Sequence, residues 1–431
     1  MRLPRSPSGL LLAALIMVPA IVQAGTPTPV ELLGMIADNP RLAMANASTD
    51  IAEANLEKAL SALRPRAEIN LDAKRFKSMR AIESRNSDVY GRLEIVQPLY
   101  DFGHSSGNID AARSDADASR SNALTVRNTL MLEGLAQYYA LHASDLDVQA
   151  LQEDNTIAYF RATRLADKEA IGAANPIDVI DLRSKAEKAQ YIYYSARSHN
   201  REIRLRLQEL TGLAFVETTL TPSPPDDGPF EVDVEKILER AEGALPELVA
   251  LRRHKQAFVA RQDAAGLRPR VEAYGRLGES TRNLRGREDW ALGARFVLPL
   301  YAGGEPGAMR ARFAAEVRRI DGAIEARRRA LRREVHVAVL ARNDNWVRIR
   351  AARTAYKATR QRLVLEQLQR TQDRQASVGG MSARLTHIEA DLVRAIGAYR
   401  MAGAQLSTLM GMHPGESFDA NFLEDMKVAA E

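Results

Sequence analysis

The chain has no cysteine among its 431 residues. That excludes disulfides, a thiol nucleophile and any thiolate metal site. It also leaves no cysteine behind the N-terminal leader to carry a lipid. Aromatic residues make up only 6%; alanine, arginine, leucine and Glu/Gln dominate, which suits long helices. Past the leader, no apolar run reaches the roughly 20 residues of a spanning helix. If the chain crosses a membrane, it does so as strands. The seven histidines (His104, His142, His199, His254, His336, His387 and His413) are scattered and form no HExxH or other metal spacing. Gly303-Gly304 is followed by no GK[ST], so it is no phosphate loop. No nucleophile has a base beside it. The reading is therefore of a protein that is not an enzyme, with no catalytic, cofactor or metal site. The net charge of +5 is small for this length and points to no nucleic-acid partner. The basic run Glu325–Arg333 reads as a solvated or ion-paired helix face.

What is present begins with an export signal. Arg2 and Arg5 precede an apolar run from Leu10 to Val18, and Val22-Gln23-Ala24 offers small residues for cleavage. Residues 1–24 read as a secretory signal peptide, with the mature chain starting near Gly25.

The rest is written twice. Leu63-Arg64-Pro65-Arg66 recurs as Leu267-Arg268-Pro269-Arg270, and Val30-Glu31 as Val234-Glu235, both 204 positions later. Pro98-Leu99-Tyr100 recurs at Pro299-Leu300-Tyr301, offset 201, and Leu210-Thr211-Gly212 is echoed by Leu409-Met410-Gly411, offset 199. Four landmarks in one order at nearly one spacing indicate an internal duplication. The first repeat covers 25–212, a Pro-rich linker 213–232, the second repeat 233–411 and a tail 412–431. Each repeat reads as a helix (Val30 to Leu63; Val234 to Leu267) stopped by proline, and a strand pair (66–77 with 88–99; 270–279 with 289–299). A very long helix (104–170; 305–378), a glycine break and a return helix (176–211; 382–410) follow. The long helix, at about 67 residues, spans roughly 100 Å. No compact globule is that wide, so the helices pair side by side as coiled coils. The fold class is mainly α with a small β part.

The strands alternate. Ala67, Ile69, Leu71 and Ala73 interleave with Glu68, Asn70, Asp72 and Lys74. The same period-two pattern runs through Val89–Ile95, Val271–Leu277 and Trp290–Leu298. Two hairpins on a soluble core would need an apolar surface to cover them, and no remaining segment offers one. A lipid-facing barrel wall with a polar lumen fits better, with Tyr90, Trp290, Tyr100 and Tyr301 suited to an interfacial girdle. Four strands cannot close a barrel, because the smallest common one has about 8. Copies of the chain would pool 8, 12 or 16 strands.

The duplication resembles the TolC family of outer-membrane efflux and secretion channels. The motifs are QPLYDFG and LPLYAGG, the paired LRPR, IGAANPIDVIDLRSKAE with its echo VGGMSARLTHIEADL, and the closing LTG and LMG. The resemblance implies a homotrimer with a 12-stranded outer-membrane barrel above an α-helical periplasmic tunnel of 12 legs. It also implies a periplasmic adaptor (membrane fusion protein) and an inner-membrane ABC or RND transporter as partners, in type I secretion or multidrug efflux. Pro98, Tyr100 and Gly103, with Pro299, Tyr301 and Gly304, then form the swivel from strand to helix. Gly172, Asn175, Pro176, Gly379 and Gly380 mark helix tips that meet the adaptor. Asn175-Pro176-Ile177-Asp178 is also an ordinary helix start. At the periplasmic entrance the family's acidic gate falls on Asp178 and Asp181 in repeat one. In repeat two it falls on Thr386 and Glu389, where Thr386 departs from the family's acid. The rival reading is a soluble periplasmic coiled-coil adaptor or scaffold.

Overall fold

The computed structural model describes residues 27–75, 87–214, 233–280, 289–372 and 378–414. The leader, the charged loops within both strand pairs, most of the linker and most of the tail lie outside them. Repeat one opens with α1 (Pro29–Met35) and a 3₁₀ turn (Ile36–Asp38), followed by α2 (Pro40–Leu60) and a second 3₁₀ turn (Ser61–Leu63). Then come β1 (Arg66–Arg75), β2 (Ser87–Tyr100), α3 (His104–Ala170) and α4 (Pro176–Thr211). Repeat two runs through α5 (Val234–Ala244), α6 (Pro246–Ala264), β3 (Arg270–Ser280), β4 (Trp290–Val297), α7 (Glu305–Gln372) and α8 (Val378–Leu409).

Two expectations need correcting. The single helix from Val30 to Leu63 is broken at Pro40, and its twin at Pro246. Proline lacks an N–H and forces its predecessor out of the α region. Asn39 accordingly sits extended, at φ −65° and ψ 132°. Gly379 and Gly380 do not break a helix; they lie within the first turn of α8. The first N–H groups of a helix have no intrahelical partner anyway, so glycine costs little there.

Asn39 is the joint of the first repeat. Its side-chain oxygen accepts from Arg41 N at 2.9 Å and caps α2. Its amide donates to Leu210 O at 2.9 Å, at the far end of α4. Two short helices are thereby stacked end to end alongside the unbroken α3. The apolar core lies at this joint: Leu32, Ile36, Leu130, Leu135, Leu141 and Leu207 are fully buried. The 3₁₀ turn presses so close to α3 that a Cβ on Gly134 would lie 2.4 Å from Ile36 Cδ1. Repeat two builds a matching core from Ile237, Leu248, Leu331, Val335 and Leu406. There Gly411, at φ 74°, backs onto the Ala244 carbonyl.

The strands form one antiparallel sheet in the order β1-β2-β3-β4. β2 pairs with β3, so the hairpins of the two repeats are fused across the duplication. The long helices follow the same plan. α3 packs on α2 and α4 of its own repeat and on α6 and α8 of the other. The four legs lie side by side as α2/α4, α3, α6/α8 and α7. No comparable contact joins α7 to α2 or α4 among the described residues.

Asp115 ties α3 to α6 through His254, at 3.2 Å, and Arg261. Burial pushes its carboxyl up. Hydrogen bonds from His254 and Arg261 and the Arg261 charge outweigh that, holding it below its ordinary value. The folded value thus lies below the unfolded one of about 3.9. The clamp contributes fully above that pH and is lost as pH falls through the folded value.

Replacing Leu135 with Ala should cost about 2–5 kcal/mol through the cavity left behind. Asn39→Ala should cost about 2 kcal/mol, from a lost cap and an orphaned buried carbonyl. Both are read from denaturant or thermal unfolding. Asp115→Asn should lower stability at neutral pH and flatten its decline below about pH 4, measured as Tm against pH.

Candidate functional site

Three regions carry the features the sequence singles out: the sheet, the strand-to-helix junctions and the helix tips. In the sheet, the register puts Ile69, Leu93, Leu277 and Trp290 in one row, with Ala67, Ile95, Gly275 and Leu292 in the next. Among the described residues nothing covers this face. Leu292 is 81% exposed, Leu71 77% and Trp290 71%. No helix among the described residues is long and apolar enough to cross a membrane.

The opposite face is charged and internally paired. Arg276 reaches Glu94 at 2.9 Å, and Arg92 reaches the same carboxylate at 3.2 Å. Arg295 reaches Glu272 at 2.7 Å, and Arg270 reaches it at 2.9 Å. Each carboxylate is flanked by two guanidiniums, so the face is polar without presenting a bare field of one sign. Two tyrosines lie flat on this face. The Tyr90 ring covers Gly278, where a Cβ would stand 2.7 Å from the hydroxyl; Tyr274 covers Gly293 at 2.8 Å. Tyr90 therefore does not belong to the lipid girdle. It is opposite Asp72 and Ser280, on the polar side. Period two decides the face, and Tyr90 shares its parity with Arg92 and Glu94. Trp290 does point to the apolar side.

At the first junction the ladder slips between Pro98 and Tyr100, which pair with Glu272 and Val271. Pro98 is thus inside β2, at a bulge, where a missing N–H is tolerated. The bulge turns Tyr100 onto the apolar face, and its ring meets Phe102 edge-on at 4.7 Å. Phe102 and Gly103 then take consecutive positive φ values of 54° and 91°, and α3 begins. At the second junction β4 stops at Val297. Pro299 and Tyr301 follow outside any ladder, and Gly303 and Gly304 take φ of 60° and 84°. Beside the first junction lies a cleft of about 450 Å³, lined among others by Pro98, His104, Arg268 and Pro299.

At the tips Gly172 has φ 73° and makes the turn out of α3. Asn175 caps α4 by accepting from Ile177 N at 3.0 Å, with Pro176 at the first helical position. Asp178 and Asp181 follow, both exposed. Thr386 bonds back to Ser382 O at 3.2 Å, and Glu389 is half-buried on α8. Within one chain the two acid sets are not brought together, because α3 lies between α4 and α8. The contacts that do join the repeats here were not legible as motifs. His387 meets Asp154 at 2.9 Å, and Arg394 meets Asp147 at 2.5 Å. Opposite charges on two long helices are the only signal, and many such pairs are possible.

The comparisons agree with this geometry. Residues 34–213 match the model of the family described as outer membrane efflux protein. No curated protein is a significant match. Among solved structures, the Campylobacter jejuni CmeC outer membrane channel superposes with a TM-score of 0.72 at 15% identity, covering 98% of both chains. The outer membrane protein VceC of Vibrio cholerae gives 0.67 at 18% identity, covering 89% of this chain and 96% of that one. The open-state MtrE outer membrane channel of Neisseria gonorrhoeae gives 0.65 at 19%, covering 90% and 89%. A family match over the first repeat, and one shared fold over nearly the whole length, make this chain similar to the outer membrane efflux proteins.

Proposed function

We propose that three copies of this chain close into a passive exit duct, a barrel in the outer membrane continued by a helical tunnel across the periplasm. One observation carries the reading: the main contacts between the two repeats have twins with no occupant among the described residues. β2 pairs with β3, but β4 has no β1 beside it; α3 packs on α6 and α8, but α7 has no α2 or α4. A neighbouring copy supplies each missing element. Three copies of the four-stranded sheet give twelve strands, the number that the resemblance to TolC-type channels implies. The apolar face then meets lipid, and the arginine–glutamate ladder lines the lumen.

Energy comes from an inner-membrane ABC or RND transporter, the partner class that the resemblance to TolC-type channels implies. A periplasmic adaptor engages the helix tips around Gly172, Asn175 and Pro176 and around Gly379 and Gly380. The conduit belongs to a tripartite export system, multidrug efflux or type I secretion, and the transporter chooses the cargo. Asp178, Asp181 and Glu389, repeated around an axis, would narrow the entrance and favour cations.

The purified mature protein should run as a detergent-requiring trimer from outer-membrane fractions and conduct in planar bilayers. Release as a water-soluble single chain by osmotic shock would overturn the reading in favour of a periplasmic scaffold. With the duct established, Asp181→Ala together with Glu389→Ala should raise single-channel conductance and weaken cation preference. Unchanged currents would remove both residues from the entrance.

A further inference from the structure

The two strand-to-helix junctions are built alike but finished differently. At the first, His104 N donates to Asp101 O at 3.2 Å and Gly107 N to Gly103 O at 3.2 Å. At the second, 201 positions on, Glu305 N donates to Ala302 O at 3.1 Å and Ala308 N to Gly304 O at 3.2 Å. Both pass through two successive left-handed residues. The first junction is closed by a side chain from the other repeat. The Arg268 guanidinium donates to Phe102 O and to Asp263 O, and lies over Gly103, 2.8 Å from where a Cβ would stand. Around Gly303 and Gly304 the corresponding space is open.

The twin of Arg268 is Arg64, 204 positions earlier in the same Leu-Arg-Pro-Arg sequence. Arg64 sits at the outer end of α2, on the free edge of the sheet and legs. It is exposed, and among the described residues its guanidinium meets Glu57 at 3.3 Å, across a pair whose side chains are both about two-thirds exposed. Such a pair is held weakly and is easily exchanged. We propose that Arg64 of each copy closes the second junction of its neighbour. There it donates to the Gly303 carbonyl, as Arg268 does to Phe102 within a chain. Its second donor reaches Ala59 O of its own chain, the counterpart of Asp263 O. Arginine suits this task because its planar fork serves two carbonyls at once, which a lysine ammonium cannot do in fixed geometry. The junction glycines, which in repeat two replace the Phe-Gly of repeat one, leave room for the approach. Intrachain and interchain clamps then alternate around a belt where the barrel meets the tunnel. The inference rests on the ring of copies proposed above.

The cysteine-free chain permits a direct test. Arg64→Cys with Gly303→Cys is made in the full-length protein, and membranes are treated with a short bis-maleimide. The control pair is Arg268→Cys with Phe102→Cys. The first pair should yield covalent dimers and trimers on a denaturing gel, and the control only monomers with an internal bridge. A wild-type trimer in which the first pair gives no interchain product while the control reacts would overturn the clamp and leave the ring intact. A wild-type monomer would overturn the ring itself. As an independent readout, Arg64→Ala should speed thermal dissociation of the trimer about tenfold, the equivalent of about 1.4 kcal/mol, and Arg64→Lys should restore little of it. Wild-type dissociation rates for Arg64→Ala would also sink the proposal.

Discussion

Backbone amides at the edge of a sheet cannot be left bare in hydrocarbon. Each unpaired N–H or C=O there costs several kcal/mol, and water is not available to satisfy it. This chain has an open sheet of four strands with one largely apolar face, and therefore two such edges, along β1 and β4. Everything else in the molecule is arranged around that incompleteness. The helical layer is left open at the legs that connect to those same strands, since α2 leads into β1 and α7 follows β4. Sheet and legs thus share one pair of unsatisfied flanks along the whole length of the molecule.

Duplication explains why a single gene product can meet its own flanks. The fused pairing of β2 with β3 shows that the trailing edge of one repeat fits the leading edge of the next. In the proposed ring, repetition around an axis would extend a fit already made once inside the chain. The repeats are not identical in how they are finished. Asn39 caps α2 and ties it to α4, whereas α6 begins at Pro246 with no side-chain cap. Asp115 clamps α3 to α6 with a histidine and an arginine, while the position 201 residues later is Glu316, which pairs with its own-helix neighbour Arg319. Sequence drift has concentrated in ion pairs and caps, where alternatives are many. The leucine-rich joints and the closing glycines are alike in both halves.

That pattern sets what could be read from the letters. The long helices, the four strands and their faces were legible because period and length leave few alternatives: α3 runs from His104 to Ala170, as the spacing between Gly103 and Gly172 suggests. The breaks at Pro40 and Pro246 were also readable, since proline is decisive inside a helix, yet the heavy alanine content argued for continuity. Tyr90 was misplaced by its aromatic character, although its parity with Arg92 and Glu94 gave the right face. The role of Arg268 could not be read. A helix stop explains Leu-Arg-Pro-Arg completely until the Phe102 carbonyl is seen beneath the guanidinium. Nor could the His387–Asp154 and Arg394–Asp147 links, because pairing across separate helices depends on a register the sequence leaves free.

The flattened tyrosines have a bearing on the shape of the passage. A ring lying over Gly278 or Gly293 occupies thickness that the missing side chain has vacated. In the proposed duct each aromatic would thereby be stowed along the wall, leaving the paired arginine and glutamate side chains to line the passage.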